Sequence, residues 1–134
     1  MAMTEDRFFR GLLAMLATRT RYLDARDDRH QEALGRVLAR LEELQAARKP
    51  GAVSMPRSLR PGVITGKYDE FDDALLNLQN LGYDSAQNPF YASVELTLSP
   101  RRTERILSRF TSEERTTFEE LADIFLTGTA ERTA

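Results

Sequence analysis

The segment that decides the predicted fold is residues 4–48, TEDRFFRGLLAMLATRTRYLDARDDRHQEALGRVLARLEELQAAR. It contains no proline and only two glycines, and it is rich in Ala, Leu, Arg and Glu, which all favour helices. Thr4 precedes two acids, the arrangement expected of an N-cap and a first helical turn. The segment is therefore predicted to be helical almost throughout.

Apolar residues recur along this segment at spacings of three and four, which is typical of a helix that buries one face. The apolar seam comprises Phe9, Leu13, Leu16, Leu23, Leu34, Val37, Leu41 and Leu44. Polar residues interrupt it at Thr20, Asp27 and His30. Two arrangements fit this pattern: one helix about 65 Å long that pairs with a second chain, or two antiparallel helices with a break near residues 24–28. The interruption favours the break.

Three segments follow one another in the predicted domain organisation. Residues 1–48 form the N-terminal helical hairpin or coiled-coil-like segment. Residues 49–67 form a basic loop, because prolines and glycines interrupt them and arginines and lysines flank these interruptions. Residues 68–134 form a C-terminal helical part, in which residues 90–98 alternate between apolar and polar side chains and so predict a short strand.

Capping signals indicate the helices of the C-terminal part. Gly82 is placed to end a helix over residues 69–81. Ser99 and the proline after it predict the start of the next helix, and Thr111 with Glu114 forms a capping box at the start of the last one. The predicted fold class is therefore mainly α (α+β), with a hairpin or long helix, a proline-rich loop, and three further helices with one or two short strands.

The composition excludes several kinds of active site. The chain has 134 residues with no cysteine and one histidine, so it has no disulfide, no thiolate zinc site, no cysteine nucleophile and no multi-histidine metal site. It has no glycine-rich phosphate-binding motif and no nucleophile elbow. We therefore predict no enzyme activity and no cofactor. The competing hypothesis is a metal-dependent hydrolase that uses His30 and the acids Asp69, Asp72 and Asp73, although acids at a helix start also stabilise the helix dipole.

No apolar run in the sequence approaches the roughly 20 residues that a membrane-spanning helix needs. The longest, residues 8–17, is interrupted by Arg10 and Gly11, and the acids that precede it are not typical of a signal peptide. We predict a cytoplasmic protein with no membrane partner. The preference for arginine over lysine is typical of a GC-rich bacterial genome.

The leading functional hypothesis is a non-catalytic protein-interaction module, an adaptor, inhibitor or assembly subunit of a bacterial cytoplasm. We expect the apolar seam to mediate self-association, with a dimer favoured, or contact with another protein. The amides and tyrosines of residues 77–91 resemble the side chains of adaptable recognition surfaces. The predicted partner-binding residues are Phe9, Leu16, Val37, Leu44, Tyr83, Asn88 and Tyr91.

Charge patterning supports an alternative hypothesis, nucleic-acid binding. Residues 1–60 carry 12 basic and 8 acidic side chains, whereas residues 61–134 carry 7 and 13. Every fourth residue from Arg101 to Arg109 is an arginine, which places three arginines on one helix face. Such a face contacts phosphates or pairs with the acidic faces of the same fold. The candidate nucleic-acid-binding residues are Arg57, Arg60, Arg101, Arg102, Arg105 and Arg109.

A partial resemblance to a known protein family also supports the hypothesis of nucleic-acid binding. Residues 78–83, LQNLGY, followed by VELT at 94–97 and two predicted helices, resemble the wing region of bacterial winged-helix regulators of the MarR type. In that family a recognition helix ends in a glycine, a wing follows, and a strand leads into the dimerisation helices. The resemblance covers residues 69–127 and implies a DNA-binding transcriptional regulator. The chain departs from it where the helix over 69–81 begins with four acids.

Overall fold

The computed structural model describes residues 3–24, 29–56, 74, 77–85 and 93–133. These residues are mainly helical with a small antiparallel sheet, which confirms the predicted fold class. Residue 74 and residues 77–79 are helical as well. The remaining elements, in chain order, are α1 (Glu5–Ala17), β1 (Tyr22–Asp24), α2 (Arg29–Ala46), α3 (Pro50–Val53), β2 (Asp84–Ser85), β3 (Ser93–Leu96), α4 (Pro100–Leu107) and α5 (Ser112–Thr133).

Helix α1 lies at the centre of the fold and is buried on almost every side. It begins as predicted, with Thr4 Oγ1 accepting a hydrogen bond from the backbone N–H of Arg7 at 3.2 Å. From Gly11 onward its residues are apolar all round, so several neighbours must cover them, and α4 and α5 both pack against it. Gly11 permits the close approach, because a Cβ atom there would lie 2.5 Å from the Phe118 ring and 2.9 Å from the Phe110 ring.

The N-terminal segment is broken, and the continuous helix is excluded. Helix α1 ends at Ala17, β1 follows, and α2 begins only at Arg29. The strand was not predicted, because its three residues sit inside a helical pattern and are fixed by pairing with distant residues of β3. Leu23, for example, lies opposite Val94. Helices α1 and α2 both pack on α5 and have little contact with each other, so the predicted hairpin is replaced by an arrangement around α5.

The apolar seam belongs to the core of the single chain. Phe9, Leu16, Val37 and Leu44 are 1%, 0%, 0% and 6% exposed, although they were predicted to contact a partner. Helix α5 provides much of the cover with four fully buried residues, Phe118, Leu121, Ala122 and Phe125. The physical reason for the correction is that this chain's own helices bury the seam, which leaves little of these four side chains for a second protein.

The sheet has the strand order β1-β3-β2, with both pairings antiparallel. Strand β3 lies within the predicted residues 90–98, and the predicted alternation holds where it is described: Leu96 and Leu98 are buried and Thr97 is exposed. Thr97 Oγ1 donates to the carbonyl oxygen of Gly82 at 2.8 Å. The sheet therefore fixes the chain at Gly82 beside the start of α4.

The predicted caps of the last two helices are confirmed. Ser99 Oγ accepts from the backbone N–H of Arg102 at 3.2 Å. The backbone N–H of Thr111 donates to Glu114 Oε1 at 2.9 Å, and the backbone N–H of Glu114 donates to Thr111 Oγ1 at 3.1 Å. Helix α5 continues through Gly128 to Thr133, because a glycine permits a helix end without imposing one.

Two helix ends adopt the same left-handed turn. Gly82 has φ of +81°, and the backbone N–H of Tyr83 donates to the Leu78 carbonyl at 3.0 Å, as in a Schellman motif. After α2 the equivalent position is Arg48, with φ of +57°. The backbone N–H of the next residue, Lys49, donates to the Leu44 carbonyl at 3.1 Å. The predicted role of Gly82 is confirmed, whereas Arg48 holds a conformation that favours glycine.

Candidate nucleic-acid interface

Helix α4 presents its arginines on the side opposite its buried residues. At about 3.6 residues per turn, Arg101, Arg102 and Arg105 fall within about 100° of the helix circumference. Thr103 and Leu107, on the opposite side, are 5% and 2% exposed. Arg109 continues the row beyond the helix end. The row from Arg101 to Arg109 is about 12 Å long. The arginine stripe is defined as Arg101, Arg102, Arg105 and Arg109.

Three arginines of the stripe are available to a ligand. Arg101, Arg105 and Arg109 are exposed, and within the described ranges no acid lies at ion-pair distance from them. Glu104 is the one acid of α4, and its Oε1 lies 3.2 Å from Nη1 of Arg115 in α5 instead. The sequence left open whether these arginines pair with the acidic faces of the fold, and among the described residues they do not.

Arg102 has a different environment from the rest of the stripe. Its Nη2 donates to the carbonyl oxygen of Leu81 at 2.9 Å, and its guanidinium lies 5.9 Å from the centroid of the Tyr83 ring. A Cβ atom at Gly82 would lie 2.7 Å from Nη1 of Arg102. The guanidinium therefore occupies the space that a side chain at this position would need. Arg102 therefore joins α4 to the turn before β2, in addition to contributing charge to the stripe.

Amide side chains lie beside this junction. Asn77, Gln79 and Asn80 are exposed and make no side-chain hydrogen bond with any described residue. They precede Leu81, whose carbonyl Arg102 binds. An amide donates and accepts at once, which is how Asn and Gln recognise the edge of adenine. The surface thus combines groups that bind phosphate with groups that can read bases.

The structure changes the interpretation of Tyr83, a predicted partner-binding residue. It is only 5% exposed, and the guanidiniums of Arg10 and Arg102 each lie 5.9 Å from its ring centroid. The ring supports two arginines and exposes little surface of its own. Two further partner-binding candidates, Asn88 and Tyr91, and the two arginines of the basic loop, Arg57 and Arg60, lie outside the described residues.

The hypothesis of a metal-dependent hydrolase gains no support from the described residues. His30 lies in the first turn of α2, and Asp69, Asp72 and Asp73 fall outside the part of the chain that the structure describes. Among the residues that are described, no three His, Cys, Asp or Glu side chains come together in a way that could hold a metal ion.

A pocket of about 260 Å³ adjoins the stripe. Arg7 Nη2 donates to the Arg109 carbonyl at 2.7 Å, and Arg10 Nε donates to Asp6 Oδ2 at 2.7 Å. Sequence reasoning did not single out these two arginines of α1, because arginines three residues apart with a nearby acid are ordinary on a helix surface. The anion pocket is defined by its lining residues, Asp6, Arg7, Arg10, Tyr83, Ile106, Arg109 and Phe110.

The buried carboxyl of Glu114 serves the fold and not the interface. Burial raises its pKa, but hydrogen bonds from Ser54 Oγ at 2.7 Å and from Thr111, together with the charge of Arg7, lower the pKa more. The net effect is a pKa below the usual range of glutamate, so the group is ionised at neutral pH. The hydrogen bonds from Ser54 and Thr111 anchor the start of α5 to the segment after α3.

An acidic groove of about 580 Å³ runs between α2 and α5. Two of its acids have partners: Glu120 accepts from Arg40 at 2.8 Å and Asp123 from Arg19 at 2.6 Å. Glu119 is exposed. The groove therefore differs in sign from the arginine stripe, and it is lined by Arg36, Thr116, Glu119, Glu120, Asp123, Ile124 and Thr127.

No protein-family model, no curated protein and no solved structure matches this chain. Within the described part of the chain, no helix is both long and apolar enough to cross a bilayer. The functional conclusion depends on the chemistry of the surfaces themselves.

Proposed function

We propose that the protein binds duplex DNA through the arginine stripe. The observation that carries this proposal is the row of exposed arginines on α4 and just beyond it, three of which have side chains with no hydrogen-bonding or ionic partner among the described residues. A guanidinium offers a planar set of donors that matches phosphate oxygens, so a row of them suits a phosphate backbone. The chain carries a net charge of −2, and binding would therefore rely on this local row and not on the total charge.

The salt dependence of binding follows from the number of arginines. If each arginine of the stripe neutralises one phosphate, the logarithm of the association constant should fall with the logarithm of salt concentration with a slope of about −3.6. Raising the salt from about 50 to 200 mM would then weaken binding roughly 100-fold. The exposed amides of Asn77, Gln79 and Asn80 would add base contacts next to this backbone-binding row.

A fluorescence-anisotropy titration of random-sequence duplex DNA at low and at moderate salt tests the proposal. The double variant R101Q/R105Q should reduce the magnitude of the salt slope by about 2. The matched control is R36Q/R48Q, which removes the same charge from two exposed arginines of α2 and its end. Flat titrations at both salt concentrations would contradict the proposal, and so would equal losses in the two double variants.

A second candidate function is the non-catalytic protein-interaction module, and the acidic groove favours it. The groove combines acids with the half-buried apolar side chain of Ile124, a combination that suits a basic amphipathic segment of another protein. Titration of a helical peptide that carries lysines on one face and leucines on the other tests it. Glu119→Gln should weaken binding, whereas Glu113→Gln, an exposed acid of α5 outside the groove, should not.

A further inference from the structure

Three arginines converge on the anion pocket although a single acid lines it. The guanidiniums belong to Arg7 and Arg10 of α1 and to Arg109 beyond α4, and the acid is Asp6. Their combined charge gives the lining an excess of two positive charges. Like charges that share a small site repel one another, and an anion placed among them removes that repulsion.

Each of these arginines keeps hydrogen-bond donors for a ligand. Arg7 uses Nη2 on the Arg109 carbonyl, and Arg10 uses Nε on Asp6. The Arg109 guanidinium makes no hydrogen bond with any residue in the described ranges. Since a guanidinium has five N–H donors, most of the donors at this pocket remain unused. An oxyanion with several acceptor oxygens matches that surplus.

Aromatic rings hold the arginines in position. The guanidinium of Arg7 lies 4.7 Å from the centroid of the Phe110 ring, and that of Arg10 lies 5.9 Å from the centroid of the Tyr83 ring. Both rings are largely buried, so they also form an apolar floor for the pocket. A preorganised arginine loses less conformational freedom when it binds an anion, and its charge acts more strongly beside an apolar floor.

We propose that this pocket binds a phosphate group. Phosphate carries up to two negative charges, which matches the excess charge of the lining, and its oxygens accept from guanidiniums in pairs. The group has two sources, a free phosphate ion and a backbone phosphate of the duplex; the second source rests on the proposed function and the first does not.

The primary test is isothermal titration of the full chain with inorganic phosphate, with NaCl adjusted to hold the ionic strength constant. Arg10→Gln and Asp6→Asn break the same ion pair but change the pocket charge in opposite directions. We expect saturable binding to the parent, binding at least 10-fold weaker in R10Q, and binding several-fold tighter in D6N. K49Q is the control, because it removes one positive charge from an exposed side chain that does not line this pocket, and it should bind like the parent.

Two results would overturn the proposal: no saturable binding of phosphate, or a shift of R10Q and D6N in the same direction. The second pattern would mean that the ion pair matters only for structure. A duplex titration in the presence of phosphate then identifies the source. Competition, with a smaller salt slope in R10Q, supports a backbone phosphate, and duplex binding unaffected by phosphate supports a free ion. Phosphate binding with no duplex binding at all would reject the proposed function and leave the pocket in place.

Discussion

Arg102 Nη2 donates a hydrogen bond to the carbonyl oxygen of Leu81 at 2.9 Å, and through it α4 is attached to the turn that precedes β2. The same guanidinium lies over Tyr83, so one side chain contacts both residues that flank Gly82. This contact joins two segments that are 21 residues apart along the chain. It places the exposed amides beside the arginine stripe.

Removal of Arg102 should therefore affect stability, whereas removal of its neighbour should not. We expect Arg102→Ala to lower the free energy of unfolding by about 1 kcal/mol, since it loses one hydrogen bond and one cation–π contact. Arg101→Ala removes the same charge from an exposed position with no described partner and should change stability by less than about 0.5 kcal/mol. Urea unfolding of both variants measures the difference, and equal effects would contradict this role of Arg102.

The local structure around this junction could be predicted from the sequence, because its signals lie within a few residues of one another. Thr4, Ser99 and the Thr111–Glu114 pair cap helices as predicted, and Gly82 ends the turn it was expected to end. A cap depends on a side chain and the N–H groups two or three residues away, so the sequence contains both partners. The contact between Arg102 and Leu81 has no such signal, because only the tertiary fold brings the two together.

Replacement of Arg48 by glycine should make the protein more stable. Arg48 adopts φ of +57°, which costs an L-residue other than glycine about 1 kcal/mol. Arg48→Gly should raise the free energy of unfolding by up to about 1 kcal/mol, less the greater entropy that glycine has in the unfolded chain. Gly82→Ala is the reverse experiment and should destabilise the fold, because the new Cβ would also meet Arg102. Thermal unfolding that shifts both variants in the same direction would contradict this interpretation.

Gly11 should not tolerate even a methyl group. Alanine favours helices over glycine by about 1 kcal/mol, yet Gly11→Ala should destabilise the protein because its Cβ would overlap the Phe118 ring. The double variant with Phe118→Leu tests the cause, since the shorter side chain removes the overlapping ring atoms. We expect the cost of the two changes together to be smaller than the sum of their separate costs in chemical denaturation. Additive costs would mean that the overlap is not the reason.

Glu114 should contribute to the dependence of stability on pH. Its pKa in the folded protein is lower than in the unfolded chain, so its contribution is present above the unfolded value of about 4.3 and is lost as the pH falls through the folded value. Glu114→Gln should therefore be less stable than the parent at pH 7, and the difference should narrow below about pH 4. Denaturation midpoints measured from pH 7 to pH 3 check this, and a constant difference would contradict it.

The apolar seam shows what the sequence alone could not predict. Its spacing correctly indicates that Leu16 and Val37 are buried, but a helical pattern does not say which chain covers the buried face. The cover comes from α5, about 80 residues further along than Val37, and no local signal connects the two. The three-residue strand at Leu23 was missed for the same reason, because it exists only through pairing with β3.

The candidate site also has one part that the sequence predicts and one part that only the tertiary structure shows. The spacing of Arg101, Arg105 and Arg109 predicts a common face, since residues four apart on one helix are neighbours whatever the fold. The anion pocket unites Arg10 with Arg109, which lie on different elements far apart in the sequence. Their proximity depends on how α1 packs against α4, so the pocket emerges only from the tertiary structure.

The central position of α1 has a consequence for how the chain folds. At about 5–20 residues per second, a ribosome needs roughly 5 to 20 s to add the ~100 residues between Gly11 and the aromatic rings that enclose it. During that time the apolar surface of α1 has no native cover. The native core therefore cannot form until α5 has been synthesised, because α1 is made well before the helices that enclose it.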